Sequence, residues 1–567
     1  MELRPYQREA ITAVRREYEA GTRRQALVLA TGCGKTVIFA QIPRVMKDVL
    51  PGQTLIIAHT EELIHQNAET LQALNPDLTV GIEMAGSYAD PNSDIIVASV
   101  QTLGRSGTKR VDRFDWSRID KVVVDEAHHS TTDAYRRILD RAGVLLPETS
   151  KLLLGVTATS NRTDGVALSD IYNKVVSIYP LRQAIEEGWL VDIRGYRVHT
   201  TISLDGVAKT SNDYAARELS ERVNTPLRNE QIVDAWKRVG ETRKTVVYCV
   251  DIQHAKDMAE EFRGAGVAAE AVWGDDPDRG ERLARHRQGT TNVLCVCQLL
   301  LEGYDDPTIA CVVVAKPSQS VIFLPQAVGR GTRLEDGVNM KEHDPFERVK
   351  RNLIVIDVVD GKAGTSLITL PTLMGLSNNL DTEGRSIVEA ARTIEEAQEQ
   401  HPGVDFTKLE SLSGVKTLIE SVDMFQVRFP EEVKENSELT WFRAACGKGY
   451  KMLIPKETEG RGLVHIYENT LGQWELNGKI NGDEFHGVRP TFEEAIKVTD
   501  EQIRKRVTKQ TLSYIAREAQ WHGKKVSRGQ QKMIERLFPH KHFNFDQMNA
   551  GAASRLIAER LIRKAKI

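Results

Sequence analysis

Short apolar runs separated by polar, helix-forming segments recur along the first part of the chain. Continuous apolar strands that alternate with helices are typical of a parallel sheet covered by helices on both faces. The rhythm becomes less regular between residues 195 and 230 and then returns, so the pattern predicts two consecutive α/β domains. The predicted strands of the first domain are ALVLA (26–30), TLIIA (54–58), DIIVAS (94–99), KVVVD (121–125) and LLLGVTAT (152–159). Those of the second domain are TVVYCV (245–250), VAAEAVW (267–273), NVLCVC (292–297), CVVVA (311–315) and NLIVID (352–357).

The pattern changes beyond about residue 362. Residues 384–424 are rich in Glu, Ala, Ile and Leu and predict helical connections, whereas short strands with turn residues between them over 439–487 predict a small antiparallel sheet. The last segment is helical in pattern, with Ala553, Leu556, Ile557 and Leu561 on one face. We therefore expect an α/β chain with domains over residues 1–192, 193–365, 366–435, 436–500 and 501–567.

Composition narrows the class of protein. The 567 residues are 41% hydrophobic and 27% charged, which is typical of a globular chain with several domains. Six cysteines without zinc-ligand spacing predict a reducing compartment. No apolar run approaches the roughly 18 residues that span a bilayer, and the charged start MELRPYQREA lacks the apolar core of an export signal. We expect a cytoplasmic protein without a membrane partner.

The net charge of −3 hides an asymmetry. Residues 501–567 contain 16 Lys and Arg against 5 Asp and Glu, so they carry +11 and the rest of the chain carries −14. A polyanion is one partner that such a basic module fits, and a solvated surface without a ligand is the alternative. The aromatic residues there either stack on single-stranded nucleic acid or fill the core of a small domain. They are Trp521, Phe538, Phe543 and Phe545.

A glycine-rich turn follows the first predicted strand and precedes VIFAQIPRVM (37–46), which predicts one helix. Glycines let backbone N–H groups turn inward as an anion-binding nest at a helix N-terminus. In such a phosphate loop Lys35 reaches the β and γ phosphates of a nucleoside triphosphate, and Thr36 offers its hydroxyl to Mg²⁺. The strict pattern has glycine where Leu29 stands, and a plain strand-to-helix turn is the alternative. The turn consists of Ala30, Thr31, Gly32, Cys33, Gly34, Lys35 and Thr36.

Two adjacent carboxylates, Asp125 and Glu126, end another predicted strand. Beside a phosphate loop they divide the work, since Asp125 holds Mg²⁺ and Glu126 polarises the attacking water as a general base. The two motifs together predict a nucleoside triphosphatase. His128 and His129 follow, but adjacent histidines face different directions and lack further partners, so we do not expect them to bind a metal.

With these motifs in this order, the chain resembles the superfamily 2 helicases and translocases of the DEAH-box type. Its LRPYQ start is similar to that of the XPB/RadD-like branch. The resemblance covers residues 1–360 and implies two tandem RecA-like domains that use ATP and Mg²⁺, with Arg4 and Gln7 near the adenine. It also places on the nucleic-acid side a set of residues that we call the rim: His59, Thr60, Ser99, Gln101 and Thr102.

Helix capping explains Thr60 and Ser99 of the rim equally well. The resemblance further implies that His128, Thr157 and Thr159 couple hydrolysis to movement of the domains.

The second domain carries the arginine motif of the same family. Gln326, Arg330 and Arg333 match its QxxGRxxR pattern. The planar fork of an arginine spreads positive charge over the transferring γ-phosphate, which suits these two arginines to stabilise the transition state when the domains close. By resemblance, Gly303 and Asp305 lie in a segment that contacts both the ATP ribose and nucleic acid.

The sequence thus predicts an ATP-dependent DNA helicase or translocase, of the kind that acts in repair, recombination or replication. We expect its partner to be nucleic acid, with DNA that has a single-stranded region preferred by resemblance. An RNA helicase and a double-strand DNA translocase are alternatives within the class. A nucleotide-gated scaffold that binds nucleic acid without sustained turnover is the alternative from another class.

Overall fold

In the computed structural model of the protein, the described residues form two compact units, residues 1–374 with 381–388 and residues 375–380 with 389–567. Among the described residues, no helix combines the length and the apolar character that a membrane span needs. The described residues are 2–158, 168–200, 202–208, 213–240, 242–297, 304, 306–318, 323–335, 337–342, 350–360, 369–400, 406, 409–415, 431–443, 449–454, 462–469, 472–516, 524–538, 543, 545, 548–550, 553–554 and 556–557.

The first unit begins with a parallel sheet, which defines the first lobe. Its strands, as far as the described residues show, lie in the order β3-β4-β2-β5-β6-β1-β7. The five predicted strands are confirmed, and the sheet gains β3 and β7 at its two edges. These edge strands are largely half-buried or exposed and therefore lack a continuous apolar run. The strands are β1 (Arg24–Leu29), β2 (Gln53–Ala58), β3 (Val80–Glu83), β4 (Ile95–Ser99), β5 (Ile119–Asp125), β6 (Leu152–Thr157) and β7 (Lys174–Tyr179).

The helices of the first lobe include one difference from the sequence prediction. The segment after the phosphate loop forms two short helices instead of one, and Pro43 lies in the first turn of the second helix. Proline has no N–H to continue the hydrogen bonds of a preceding helix, so the break falls just before it. The helices are α1 (Pro5–Glu19), α2 (Lys35–Phe39), α3 (Ile42–Val45), α4 (Glu61–Leu74), α5 (Val100–Leu103), α6 (Asp133–Ala142) and α7 (Leu181–Glu186).

A second parallel sheet defines the second lobe, with the strand order β10-β11-β9-β12-β13-β8 among its described residues. All five predicted strands are confirmed, and β8 was missed because charged residues interrupt its sequence, DIRGYRVHT. The strands are β8 (Asp192–Thr200), β9 (Thr245–Cys249), β10 (Ala269–Val272), β11 (Val293–Cys297), β12 (Cys311–Val314) and β13 (Asn352–Asp360). The helices are α8 (Ala216–Val223), α9 (Pro226–Val239), α10 (Ile252–Gly264), α11 (Arg279–Gln288) and α12 (Phe323–Gly331).

The second lobe extends past its predicted end at residue 365. Leu370 packs into the lobe's apolar core, and so do Ile387 and Val388 at the start of α13 (Ile387–Gln400). The Thr382 hydroxyl donates to the carbonyl of Gly195 in β8 at 3.0 Å. A boundary at 365 therefore comes too early, because the chain returns to cover the sheet before it leaves the lobe.

The second unit contains the predicted antiparallel sheet, with described strands in the order β14-β15-β16-β17-β18. Apolar residues of α15 (Phe492–Arg506), among them Ile496 and Ile503, pack on one face of this sheet. The predicted boundary at residue 500 is therefore wrong, since it falls inside α15. The elements are α14 (Glu431–Asn436), β14 (Phe442–Arg443), β15 (Gly449–Ile454), β16 (Gly462–Glu468), β17 (Trp474–Ile480), β18 (Asp483–Arg489), α15 (Phe492–Arg506), α16 (Lys509–Ile515) and α17 (Arg528–Leu537).

The predicted fold class is confirmed, with two tandem RecA-like domains ahead of a small antiparallel sheet and a helical end. Near that end, α17 packs with the predicted apolar face of Ala553, Leu556 and Ile557. Phe538 is buried in the same cluster, and Phe543 and Phe545 pack against it. These three rings therefore fill the core of a small domain, which is the second of the two roles that the sequence left open for them. Trp521 and Leu561 lie outside the described residues.

A buried ion pair joins α9 to the end of β13 in the second lobe. Arg228 donates to both carboxylate oxygens of Asp360, at 2.7 and 2.8 Å, and also to the carbonyl of Ala315 at 2.8 Å. The Thr200 hydroxyl donates to the same carboxylate at 2.6 Å. Both charged side chains are almost fully buried, at 1% and 0% exposure.

We predict that Arg228→Met destabilises the second lobe strongly, by about 3–5 kcal/mol, because it leaves the Asp360 carboxylate buried without its counter-charge. Differential scanning calorimetry measures this as a lower temperature for the transition of that lobe. Arg217→Met is the matched control, since its ion pair with Glu221 is exposed and such pairs contribute little. Equal decreases of the transition temperature in the two variants would show that the buried pair contributes no more to stability than the exposed pair.

Candidate functional site

The candidate residues of the first lobe lie at the carboxyl ends of its strands, where parallel sheets bind ligands. The phosphate loop (residues 30–36) follows β1, and the acidic pair follows β5. The rim residues follow β2 and β4, which are nearer to the β3 edge of the sheet. Folding therefore arranges the nucleotide candidates and the rim side by side along one end of the sheet.

Two glycines shape the phosphate loop. Gly32 and Gly34 have φ angles of +93° and +71°, in the left-handed region that glycine adopts without strain. A β-carbon on Gly34 would also come within 2.7 Å of the Gln7 amide nitrogen. Cys33 between them is buried, and burial raises the pKa of its thiol to about 12. The loop therefore offers backbone groups and the side chains of its last two residues to a ligand, and no thiolate.

The acidic pair lies against Lys35 of the loop. The Lys35 amine forms an ion pair with the Glu126 carboxylate, and both side chains are mostly buried, at 12% and 9% exposure. Asp125 is buried beside them, and its carboxylate accepts from the Glu126 backbone N–H at 3.0 Å. Burial and the adjacent Glu126 carboxylate raise the pKa of Asp125, while Lys35 opposes the shift. One amine thus faces two buried carboxylates, an oxygen-rich and electronegative set that fits a divalent cation.

Asn67 links this pair to the end of the loop, and sequence reasoning missed it. Its amide nitrogen donates to Asp125 Oδ2 at 3.0 Å, and its amide oxygen accepts from the Thr36 hydroxyl at 3.2 Å. Asn67 is fully buried on the apolar face of α4, beside Ile64 and Ala68. A polar residue at an apolar position of a helix was the available signal, and only the tertiary structure shows what it binds.

The acidic segment is tied to the end of β6. His128 is buried, and its Nδ1 lies 3.1 Å from the Thr157 hydroxyl and 3.4 Å from Glu126 Oε2. Glu126 has a φ of +51°, which is costly for a residue with a side chain. The structure therefore brings His128 and Thr157 together with Glu126, while Thr159 lies outside the described residues.

The N-terminal segment is bonded to the phosphate loop. The Gln7 amide nitrogen and the Tyr6 hydroxyl both donate to the carbonyl of Cys33, at 3.2 and 2.9 Å. The Gln7 amide oxygen accepts from the backbone N–H of Arg4 at 3.0 Å. The Arg4 side chain donates to the carbonyl of Gly337, in the second lobe, at 3.3 Å. Arg4 and Gln7 thus lie at the loop and at the boundary between the lobes.

The arginine helix α12 of the second lobe packs directly on the phosphate loop. A β-carbon on Gly329 would lie 2.4 Å from the β-carbon of Thr31, and one on Gly32 would lie 3.1 Å from Cγ of Arg333. The two backbones approach this closely because both positions are glycine. Helix α12 therefore brings the arginine motif to the loop that follows β1.

The predicted residues of the second lobe take different positions around this contact. Gln326 and Arg330 are buried in α12, and the Arg330 guanidinium donates to the carbonyl of Tyr304. Arg333 follows the helix and is half-buried against the loop. Gly303 and Asp305 lie outside the described residues.

Further contacts join the lobes. The Met340 N–H of the second lobe donates to the carbonyl of Gly188, which follows α7 of the first lobe, at 2.8 Å. Glu62, at the start of α4, forms an ion pair with Arg279, at the start of α11. The lobes thus meet through a backbone hydrogen bond after α7 and through a charged pair near the rim.

Hydrogen bonds connect three of the rim residues, His59, Ser99 and Gln101. Gln101 accepts from the Ser99 hydroxyl and donates to the carbonyl of His59, both at 2.6 Å. The Thr60 hydroxyl accepts from the backbone N–H of Leu63 at 3.3 Å, so it caps α4 as the alternative interpretation stated. Ser99 is the N-cap residue of α5 without a capping hydrogen bond from its side chain. Thr102 accepts from the N–H of Ala85 at 3.1 Å, which attaches this rim residue to the loop after β3.

Comparisons with known proteins agree with this organisation. Residues 1–162 match the family described as "Type III restriction enzyme, res subunit". The chain is 32% identical to the "Putative ATP-dependent helicase IRC3" of Saccharomyces cerevisiae over 389 residues, 66% of this chain and 54% of that protein. It is 24% identical to the "DNA 3'-5' translocase XPB2" of Sulfurisphaera tokodaii, covering 59% of this chain and 80% of that protein.

One solved structure is also similar, "The fragment structure of a putative HsdR subunit of a type I restriction enzyme from Vibrio vulnificus YJ016". It is 25% identical with a TM-score of 0.47 and covers 62% of this chain and 63% of that one. The chain spans 54% of the Saccharomyces relative's length. With its motifs in the order that the sequence predicted, and with relatives named as a helicase and a translocase, the chain is similar to superfamily 2 of the helicases and translocases.

Proposed function

We propose that this chain is an ATP-dependent DNA helicase or translocase that converts ATP hydrolysis between its lobes into movement on nucleic acid. The packing of α12 of the second lobe on the phosphate loop of the first carries this proposal. A triphosphate held by the loop touches both lobes, so its presence or loss changes how the lobes fit together. If each lobe binds the same nucleic-acid strand, alternation between closed and open states moves the lobes along that strand.

The residues around the phosphate loop bind the triphosphate in this proposal. The backbone of Thr31 through Gly34 surrounds the phosphates, and Lys35 binds the β and γ phosphates. Thr36 and Asp125 would hold Mg²⁺, both oriented by Asn67. When bound, Mg²⁺ neutralises phosphate charge. Arg4 and Gln7 bind the adenine side, and Gly303 and Asp305 the ribose side.

Glu126 serves as the general base. Its carboxylate is paired with Lys35 in the structure, so the Lys35 amine cannot form full ion pairs with the phosphates and with this carboxylate at the same time. When Lys35 turns to the phosphates, Glu126 gains free acceptor capacity for a proton of the attacking water. His128 orients Glu126 and transmits its position to Thr157 and Thr159 at the end of β6.

The second lobe completes the site in this proposal. Arg333 already lies against the loop, and Arg330 lies in the helix that packs on it. Their guanidinium groups stabilise the charge that develops on the γ-phosphate, and Gln326 positions the water or the phosphate from the same helix. Catalysis then requires closed lobes, so the rate of hydrolysis depends on domain closure.

The rim faces the nucleic acid in this proposal, because its polar groups lie beside the nucleotide site at the same end of the sheet. Such contacts read phosphate and sugar and little base sequence. We propose DNA with a single-stranded region as the partner and a reducing cytoplasmic location, the latter because the cysteines of the described residues are free and buried.

A phosphate-release assay with and without single-stranded DNA tests the proposal. We expect hydrolysis to increase on adding DNA, because binding at the rim favours closure of the lobes. Glu126→Gln should abolish turnover and still bind ATP, whereas Lys35→Ala should lose both. Stimulation by RNA alone would assign the RNA-helicase alternative, and stimulation by duplex alone the double-strand translocase. Binding without any stimulation would leave the scaffold.

The contact between α12 and the loop predicts a large loss of kcat when Arg333 is replaced. We expect Arg333→Ala to lower kcat by about 10³-fold while ATP still binds, since an arginine that acts on the transition state contributes that order of rate. Arg333→Lys should recover little, because lysine lacks the planar fork. Arg238→Ala, at an exposed position of α9, is the control and should keep full kcat. Wild-type turnover in Arg333→Ala would remove this arginine from the site.

The position of Asn67 predicts a specific effect on magnesium. We expect Asn67→Ala to raise the Mg²⁺ concentration for half-maximal hydrolysis about 10- to 100-fold, the usual cost of losing a group that orients metal ligands. His65→Ala, on the exposed side of the same helix, should leave the titration unchanged. An unchanged Mg²⁺ titration in Asn67→Ala would show that the amide has a structural role alone.

A further inference from the structure

A loop with an exposed aromatic ring follows β3, at the same end of the sheet as the rim. Residues 84–90, which we call the Tyr88 loop, begin where β3 ends. Tyr88 is 62% exposed, although tyrosine usually buries much of its ring. Its neighbours Ala85, Gly86 and Ser87 are small and also exposed. The loop thus presents one large aromatic surface without bulky groups beside it in the chain.

Two arginines hold this ring in place. The guanidinium of Arg110 lies 3.7 Å from the centre of the Tyr88 ring, and that of Arg113 lies 4.9 Å from it. Both distances are within the range of cation–π attraction. The ring is therefore oriented before any ligand arrives, which lowers the entropic cost of binding one.

A buried carboxylate anchors the same arginines. Glu83, fully buried at the end of β3, pairs with Arg110 and with Arg113, the latter at 2.9 Å. Arg110 also donates to the carbonyls of Ala85 and Ser87, at 3.0 and 2.6 Å. Two guanidinium groups thus share one buried carboxylate, so these three side chains carry one net positive charge beside the exposed ring, against the exposed carboxylate of Asp90 at the end of the loop.

The Tyr88 loop continues the line of the rim. Its residue Ala85 donates a backbone hydrogen bond to the Thr102 hydroxyl of the rim at 3.1 Å. Because β3 lies next to β4 in the sheet, the loop is one strand spacing, about 4.8 Å, beyond the rim's end at β4. It lies five spacings, about 24 Å, from β1 and the phosphate loop. Its position suits a ligand that extends along the rim and is too distant for contact with the triphosphate.

We propose that Tyr88 stacks on a base of single-stranded nucleic acid, with Arg110 and Arg113 supplying positive charge for the adjacent phosphates. This inference rests on the proposed function, and it adds a contact beyond the rim. A ring that is held in place beside positive charge has the chemistry of a base-stacking site, and such stacking tolerates any sequence. In a duplex each base is already stacked between its neighbours, so the contact selects single strands.

The experiment compares Tyr88→Ala with Tyr88→Trp in the full chain, by fluorescence anisotropy on a labelled single-stranded oligonucleotide. We expect Tyr88→Ala to weaken binding about 5-fold or more, as loss of one base–aromatic stack does, and Tyr88→Trp to bind within about twofold of wild type. Leu146→Ala is the control. Leu146 is equally exposed at 63%, but it precedes β6 and so lies at the opposite, amino end of the sheet.

An abasic oligonucleotide separates stacking from a change of structure. Removing the bases should weaken wild-type binding by the same factor as Tyr88→Ala weakens binding of the intact strand. Tyr88→Ala should bind the abasic strand almost as well as it binds the intact strand. Equal binding of the intact strand by wild type and Tyr88→Ala would overturn the stacking site and leave the proposed function standing. Equal weakening on single-stranded and duplex DNA would also overturn it. A wild-type chain that binds no nucleic acid would overturn both proposals.

Discussion

The approach of α12 to the phosphate loop is the contact on which the rest of the arrangement depends. It is possible because Gly329 and Gly32 have no β-carbon, and any side chain at Gly329 would overlap Thr31. Since neither glycine has a side chain that could rearrange, the contact leaves little room for adjustment. A ligand between these elements therefore acts on the relative position of two whole domains, which is how a small molecule can drive a large movement.

Electrostatics adds a second constraint at the same place. Lys35 is the partner of Glu126, and Asp125 is buried beside them with its pKa raised by burial and by the neighbouring carboxylate. This set is short of positive charge. In the proposed function, phosphates and a divalent cation change its charge balance together, because Lys35 exchanges one acidic partner for another. The proposed cation thus supplies positive charge that the acidic groups lack, and the Glu126 backbone keeps a costly conformation there.

The parallel sheet also separates the candidate sites in space. Every strand of the first lobe points its carboxyl end the same way, so loops far apart in the chain form one continuous surface. The phosphate loop and the acidic segment lie towards one side of it, the rim follows, and the Tyr88 loop comes last at the edge. The proposed nucleotide site and the proposed nucleic-acid contacts are therefore neighbours along one sheet, and a shift of the end of a single β-strand can reach both.

Much of this could be predicted from the sequence. Buried parallel strands produce uninterrupted apolar runs, so ten strands and the alternation of strand and helix were found, as were the phosphate loop and the acidic pair that end two of them. The strands β3, β7 and β8 were missed because partial exposure or charged residues break their apolar runs. The boundaries at 365 and 500 were misplaced because chain segments pack onto a sheet that they follow in sequence.

The sequence by itself determined which residues are the candidates for the chemistry, because glycine, lysine, carboxylate and arginine at fixed spacing are local signals. Only the tertiary structure decided what those residues touch. Three of these contacts join distant parts of the chain. They are the hydrogen bond from Asn67 to Asp125, the ion pair of Glu126 with Lys35 and the packing of Arg333 against Gly32. The physical reason is that a single chain encodes such contacts only through the order of strands in a sheet, which pairs elements without regard to their distance in sequence.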